Sequence, residues 1–252
     1  MVRMIVTDLD HTLLRTDKTV SAFTYETLRA CMAKGIKLAY ATGRGGTAKK
    51  RVPSAEFDGR ITMNGAMIYE GEELVHSCLV PAEKMRDLLV PCSERGLRVV
   101  AEMDDMHYAN FDVGALWHEL EDDYRIVDFR ELDIDAEKLY VLPETDEERT
   151  WLSAVMPEGI YMVISADGLA QVMNVGASKS LAIARLAARW GIEMADVVAF
   201  GDDVNDTDML QACGLGIAMG NAVEEVKAVA DAVCDTQDND GLAKWLREHV
   251  LG

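Results

Sequence analysis

The feature that most constrains the fold of this chain is a set of short apolar runs, each ending abruptly in polar or glycine-rich residues. These runs lie at residues 4–6, 36–41, 197–200 and 215–219. Continuous apolar runs of this length are typical of strands that are buried on both faces, as in a parallel sheet. The sequence therefore favours a sheet whose two faces are covered by helices.

Helical patterns lie between these runs. Phe23, Leu28 and Cys31 mark one apolar helix face, and Gly35 is a plausible stop. Ser178 is a candidate cap for another helix. The alternation of strand and helix predicts an α/β fold with a doubly wound, Rossmann-like parallel sheet. In such sheets ligands bind beyond the carboxyl ends of the strands, where the polar clusters of this chain fall.

The middle of the chain has a different pattern. Hairpins are predicted at residues 97–111 and 161–175, and helices at 82–95 and 146–156. This indicates a separate α+β unit inserted into the first domain. We expect a core made of residues 1–80 and 175–252, with residues 81–174 forming the insert.

The net charge and the composition of the chain limit the kinds of molecule that it is expected to bind. The 252 residues include 25 basic and 44 acidic side chains, a net charge of −19. A field of this sign disfavours nucleic acids and anionic membranes. The five cysteines form no CxxC pair, and no signal peptide or membrane-spanning run is evident. We expect a cytoplasmic protein that is a monomer or a small homo-oligomer.

Carboxylates follow two of the predicted strands. Asp8 and Asp10 come directly after the first strand, and Asp202 and Asp206 follow a later one. Carboxylates this close repel each other unless a cation is present, and Mg²⁺ prefers such oxygen ligands. Two alternatives stay open at this point: a solvated acidic turn, or a helix cap at Asp206.

Side chains and backbone groups that suit phosphate binding lie after the second predicted strand and at the start of a predicted helix. Thr42, Gly43 and Arg44 end the second strand and offer a hydroxyl, backbone N–H groups and a guanidinium. Lys179 stands at the start of a predicted helix, where an anion is also favoured. Alone, the segment Thr42-Gly43-Arg44 is equally compatible with an ordinary strand-to-helix turn, and a lone lysine at a helix start is usually only a surface charge.

Together these segments resemble the haloacid dehalogenase superfamily of phosphohydrolases, because four motifs occur in the order typical of that family. The motifs are Asp8-Leu9-Asp10-His11-Thr12-Leu13-Leu14, Thr42-Gly43-Arg44, Lys179 and Gly201-Asp202-Asp203-Val204-Asn205-Asp206. The insert falls between the second and third motifs, as in the Cof-type branch, and Thr62-Met63-Asn64-Gly65-Ala66 also resembles that branch.

The resemblance implies a role for each matching residue. Asp8 would be the nucleophile that forms an aspartyl-phosphate, and Asp10 the general acid and base. The phosphoryl oxygens and the Mg²⁺ ion would each be held by a set of groups. The phosphate set is Thr42, Gly43, Arg44, Lys179 and Asn205, and the metal set is Asp8, the backbone carbonyl of Asp10, Asp202 and, through water, Asp206.

The expected activity is hydrolysis of a small phosphorylated metabolite, such as a sugar phosphate, with the insert acting as a cap that closes over the substrate. A phosphomutase and a non-catalytic phosphometabolite-binding protein remain alternatives. One departure from the family is His11, which stands where glycine is usual. We interpret His11 as a solvent-facing residue without a catalytic role.

Overall fold

The computed structural model describes residues 1–117, 123–165 and 168–252. The chain divides into two compact units. The core unit comprises Met1–Ser77 and Ser178–Gly252, and the inserted unit comprises Cys78–Ala177. The expected boundaries at residues 81 and 174 lie just inside the inserted unit.

The strands of the described residues form two sheets. In chain order they are β1 (Met4–Thr7), β2 (Lys37–Ala41), β3 (Gly59–Thr62), β4 (Met67–Glu70), β5 (Glu73–Ser77), β6 (Arg98–Met103), β7 (Met106–Ala109), β8 (Tyr124–Ile126), β9 (Lys138–Leu142), β10 (Ile160–Ile164), β11 (Ala170–Asn174), β12 (Val197–Gly201), β13 (Leu215–Ala218) and β14 (Ala232–Val233).

The α-helices of the described residues lie between these strands, except the last, which follows β14. They are α1 (Ala22–Ala33), α2 (Ala82–Glu94), α3 (Asp146–Ala154), α4 (Lys179–Arg189), α5 (Thr207–Ala212), α6 (Glu224–Val229) and α7 (Gly241–Leu246). Within the described ranges, no helix combines the length and the apolar character needed to cross a lipid bilayer.

The sheet of the core unit has the strand order β14-β13-β12-β1-β2-β3-β4-β5. Pairing is parallel from β14 to β3 and antiparallel at β4 and β5. The order runs outward from β1 in both directions, so the sheet is doubly wound. The predicted α/β fold class is confirmed.

Burial explains why the apolar runs form central strands. Met4, Ile5 and Val6 are each no more than 1% exposed, although their side chains point alternately to opposite faces of the sheet. Both faces are therefore covered, as expected for parallel strands. Helix α1 contributes Leu28 and helix α4 contributes Ile183 to the same apolar core.

The inserted unit contains a sheet of order β10-β11-β9-β6-β7-β8, antiparallel except between β7 and β8. Helix α2 packs on one face of this sheet, where Leu88 and Leu89 join a core with Val99 and Val141. The β6–β7 hairpin turns at Asp104 and Asp105, both in the left-handed region at φ 52° and 62°. A two-residue hairpin turn of the I′ type requires this backbone geometry.

Candidate active site

Three neighbouring parallel strands bring the sequence motifs to one edge of the core sheet. Strand β1 lies between β2 and β12, and Thr7 is level with both Tyr40 and Phe200. Asp8 follows β1 directly, and its N–H donates to the carbonyl of Phe200. The first residues after β2 and β12 are Thr42 and Asp202. The common strand register therefore places the start of three motifs at the same edge.

A buried ammonium group lies between two carboxylates at this edge. Lys179 Nζ donates to Asp8 Oδ1 at 2.7 Å and to Asp206 Oδ1 at 2.5 Å. Lys179 is the first residue of α4, and the Ser178 hydroxyl caps that helix by accepting from the N–H of Leu181. Burial alone would lower the pKa of Lys179, but the charges of Asp206 and Asp8 outweigh burial and raise it. Lys179 is thus a fixed cation.

Asp206 organises the turn after β12 through its second carboxylate oxygen. Oδ2 accepts from the N–H of Asp202 at 2.9 Å and from the N–H of Asp203 at 3.1 Å. The carboxylate is packed so closely against Gly201 that a Cβ there would lie 2.5 Å from Asp206 Cβ. Asp206 makes no side-chain cap hydrogen bond to α5. Asp206 stands at the N-cap position of α5, but its carboxylate is engaged with Lys179 and the turn after β12 and not with that helix.

Acidic oxygens of Asp8, Asp202 and Asp206 all lie within 4.8 Å of one another. Burial raises the pKa of Asp8, with Lys179 opposing the rise and Asp206 adding to it. Burial likewise raises the pKa of Asp202 to about 7, against a hydrogen bond from Thr12. One buried ammonium does not balance three carboxylates, and hard oxygen donors at this spacing fit a divalent cation such as Mg²⁺.

Thr12 is a contact that sequence reasoning missed. Its hydroxyl is buried and donates to Asp202 Oδ1 at 2.8 Å. The two residues are 190 positions apart, so only the fold brings them together. Thr12 belongs to the first motif, and a hydroxyl side chain two residues after Asp10 is a sequence signal that could have indicated its role.

Asp10 lies in a different environment from Asp8. Its carboxylate accepts from Arg44 Nε at 2.5 Å, from Arg44 Nη2 at 2.8 Å and from Lys18 Nζ at 3.1 Å. Burial pushes the pKa of Asp10 up, but the contacts with Arg44 and Lys18 outweigh it and lower the pKa below its usual value. Arg44, expected to bind phosphate, is thus engaged with Asp10 in this structure. Lys18 had no predicted role.

The remaining predicted phosphate ligands gather around Asn64, another residue without a predicted role. Asn205 Nδ2 donates to Asn64 Oδ1 at 3.3 Å. A Cβ on Gly43 would lie 3.0 Å from the same oxygen. The N–H of Asn64 donates to the carbonyl of Thr42 at 2.9 Å. The structure therefore brings Thr42, Gly43 and Asn205 to one residue, Asn64.

His11 is exposed, with its backbone in the left-handed region at φ 58°. Glycine adopts this conformation without steric cost, which explains physically why glycine suits the position. The carbonyl of His11 accepts from Asn221 Nδ2, so a backbone group makes the contact.

Comparison with known proteins identifies relatives in a single enzyme family. The sequence profile of the haloacid dehalogenase-like hydrolases matches residues 5–246, so the chain belongs to that family. The family resemblance based on the four motifs is confirmed.

Two relatives from Bacillus subtilis strain 168 align with almost the whole chain. Phosphatase YwpJ is 30% identical over 99% of this chain and 100% of its own length. The 5-amino-6-(5-phospho-D-ribitylamino)uracil phosphatase YitU is 27% identical over 98% of this chain and 97% of its own length.

A similar solved structure is that of BT1666 from Bacteroides thetaiotaomicron, described as one of the phosphatases of the haloalkanoate enzyme superfamily. It superposes with a TM-score of 0.87 at 27% identity, covering 98% of this chain and 95% of that one.

Proposed function

We propose that this chain is a Mg²⁺-dependent phosphatase that hydrolyses small phosphorylated metabolites, such as sugar phosphates, through an aspartyl-phosphate on Asp8. The contact that carries the proposal is the 2.7 Å hydrogen bond from Lys179 Nζ to Asp8 Oδ1. It fixes the orientation of one carboxylate oxygen, and a nucleophile must be held in one geometry to react efficiently.

Mg²⁺ would be held by Asp8, Asp202 and the backbone carbonyl of Asp10, with Asp206 acting through water. The donor set fits because three acidic side chains present oxygens within 4.8 Å of one another. When bound, the ion offsets negative charge on the carboxylates and on the phosphoryl oxygens. Asp206 keeps the Asp202 turn in place through its two backbone hydrogen bonds.

The chemistry proceeds in two displacements. A carboxylate oxygen of Asp8 forms a bond to phosphorus while the bond to the leaving oxygen breaks, and Asp10 gives that oxygen a proton. Asp10 then takes a proton from a water molecule, whose oxygen attacks the phosphorus and frees Asp8 and inorganic phosphate. Arg44 and Lys18 hold Asp10 in the ionised form that this second step uses. The first step uses the protonated form, which is favoured when Arg44 leaves Asp10 for the phosphoryl group and Asp10 takes up a proton from solvent.

The negative charge on the phosphoryl group would be stabilised by hydrogen-bond donors held in fixed positions. Lys179 supplies a buried positive charge, and Thr42, Gly43 and Asn205 would hold phosphoryl oxygens. Positioned donors and charges of this kind supply most of the rate enhancement in phosphoryl transfer. Arg44 would extend this set if its guanidinium turned from Asp10 to the substrate.

The inserted unit, Cys78–Ala177, is proposed as the cap that recognises the leaving group. The name of YitU describes a phosphatase of a ribityl phosphate attached to a pyrimidine, a small polar monoester. A substrate of that class, a polyol or sugar phosphate, is what we propose for this chain.

The test is a panel of phosphate monoesters assayed with and without Mg²⁺, comparing wild type with Asp8→Asn. We expect release of inorganic phosphate that requires Mg²⁺ and is lost in Asp8→Asn. Asp17→Asn, the same change at an exposed position, is the control and should retain activity. Turnover in Asp8→Asn at the wild-type rate would contradict the proposal, and transfer of phosphate to a sugar instead of water would indicate a mutase.

A further inference from the structure

Three consecutive residues after β3 have left-handed backbones, and the proposed chemistry does not use them. Met63, Asn64 and Gly65 have φ values of 52°, 53° and 106°. The left-handed region is unfavourable for a long side chain such as that of methionine. Local strain of this kind persists only where surrounding contacts hold it, and it is concentrated at functional sites.

The first set of such contacts joins this turn to the 42–44 loop. The N–H of Met63 donates to the carbonyl of Arg44 at 3.0 Å, and the N–H of Asn64 donates to the carbonyl of Thr42 at 2.9 Å. Both bonds depend on the left-handed turn, because a continuing strand would direct these N–H groups elsewhere. The turn therefore fixes the backbone of the loop that contains Gly43.

The second contact is made by the side chain of Asn64, which is 8% exposed. Its Oδ1 accepts from Asn205 Nδ2 at 3.3 Å and lies 3.0 Å from where a Cβ of Gly43 would be. One carboxamide thus lies against two segments that are distant in sequence. Asn205 itself is exposed and follows β12 in a short turn, so this bond restricts a side chain that would otherwise rotate freely.

The third contact reaches the helix that begins with Lys179. A Cβ on Gly65 would lie 2.2 Å from the carbonyl oxygen of Ser178, the residue that caps α4. Only glycine allows this approach of two backbones. The turn Met63–Gly65 therefore touches all three segments that would surround the phosphoryl group.

We propose that Asn64 is a positioning residue for the phosphate site: its carboxamide holds Asn205 in the orientation that binds a phosphoryl oxygen. This inference rests on the proposed function, which makes Asn205 a phosphate ligand. Asn64 acts through Asn205, and the left-handed turn sets the distance between the two side chains.

The test is a double-mutant cycle between Asn64→Gly and Asn205→Ala. Glycine removes the carboxamide and keeps the left-handed backbone, so the fold is expected to survive. We expect Asn64→Gly to lower kcat/KM roughly 10- to 100-fold, the range typical of misplaced binding groups. Asn205→Ala should then add little, because its effect has already been lost. The inhibition constant of inorganic phosphate, a direct measure of binding, should rise in parallel.

The matched control is Asp104→Gly, which removes a carboxylate side chain from another left-handed position. It should leave the inhibition constant of inorganic phosphate, which has no leaving group, unchanged. If Asn64→Gly does not fold, Asn64→Asp replaces it, since aspartate tolerates the left-handed region and keeps the accepting oxygen. In that background Asn205→Ala must cost the same factor as in wild type.

Three results would overturn the inference: wild-type kcat/KM in Asn64→Gly, wild-type kcat/KM in Asn205→Ala, or fully additive effects in the double variant. In the Asn64→Asp background, a loss of the Asn205→Ala effect would also overturn it. These outcomes are distinct from failure of the proposed function, which would appear as absence of Mg²⁺-dependent phosphate release in the wild-type chain.

Discussion

Each unit of the molecule contains a cluster of buried charged side chains, and the central group of the cluster differs between the two units. In the core unit an ammonium, Lys179, is surrounded by carboxylates. In the inserted unit a carboxylate, Glu102, accepts from Tyr140 Oη at 2.6 Å, lies 3.6 Å from His107 Nε2 and acts on the buried carboxyl group of Glu137. Burial of charge alone therefore does not mark the active site; carboxylates gathered around an ammonium group at converging strand ends do.

The largest effect should come from removing the core cation. Lys179→Met leaves Asp8 and Asp206 without their ion pair, which typically costs about 3–5 kcal/mol of stability. We expect the loss of its charge to lower kcat by roughly 10³-fold. Steady-state kinetics and urea unfolding measure the two effects.

Lys138→Met is the matched change in the inserted unit, where Lys138 is 1% exposed and donates to Gln171 Oε1 at 3.3 Å. It should destabilise the protein while kcat on p-nitrophenyl phosphate stays near wild type. Equal losses of kcat in Lys179→Met and Lys138→Met would contradict a catalytic role that is specific to Lys179.

Asp206→Asn should have the next largest effect. The amide keeps the shape but removes the negative charge beside Lys179, and one of its groups becomes a donor. We expect a loss of roughly 10²-fold in kcat and weaker Mg²⁺ binding. Calorimetric titration with Mg²⁺ gives the affinity, and an unchanged affinity would show that Asp206 does not support the metal site. Asp208→Asn, a change on the following helix, is the control.

The pH dependence of stability should reveal one buried carboxyl group of the inserted unit, Glu137. Burial is the main cause that raises the pKa of Glu137 to about 7, and the charge of Glu102 adds to it. The folded state then binds a proton that the unfolded state has lost, so stability falls as pH rises from about 4.5 through about 7. At about 1.4 kcal/mol per pKa unit, the shift from 4.5 to about 7 amounts to up to roughly 3 kcal/mol.

Glu137→Gln should therefore stabilise the protein at pH 8 by up to roughly 3 kcal/mol and have little effect at pH 5. Urea unfolding at the two pH values measures the difference. Glu144→Gln, at an exposed position of the same unit, is the control. A stabilisation that is the same at both pH values would show that the charge of Glu137 is not its cause.

The smallest effect is expected at His11. Glycine relieves a left-handed backbone that costs roughly 1–2 kcal/mol, but it also gains freedom in the unfolded chain worth roughly 0.5–1 kcal/mol. His11→Gly should change stability by at most about 1 kcal/mol and leave kcat/KM within about two-fold of wild type. Thermal unfolding and kinetics on the monoester panel test this; a larger change in kcat/KM would give the imidazole a role at the site.

The sequence predicts the strands and the start of each motif well, because buried parallel strands give continuous apolar runs and their carboxyl ends meet at one edge. It predicts Lys179 less directly, through a helix start. It gives no indication of the Thr12–Asp202 and Asn64–Asn205 contacts, whose partners lie 190 and 141 positions apart. Such contacts depend on how closely two segments approach, which single-residue patterns do not encode.

The most direct test of the account is to identify the residue that carries the phosphoryl group during turnover. Wild-type protein is mixed with a reactive monoester and Mg²⁺, quenched rapidly in acid, digested and analysed by mass spectrometry. The account predicts one phosphoryl group on Asp8, and none when Asp8→Asn is treated in the same way. Rapid turnover with no phosphorylated peptide, or with the label on another residue, would contradict it.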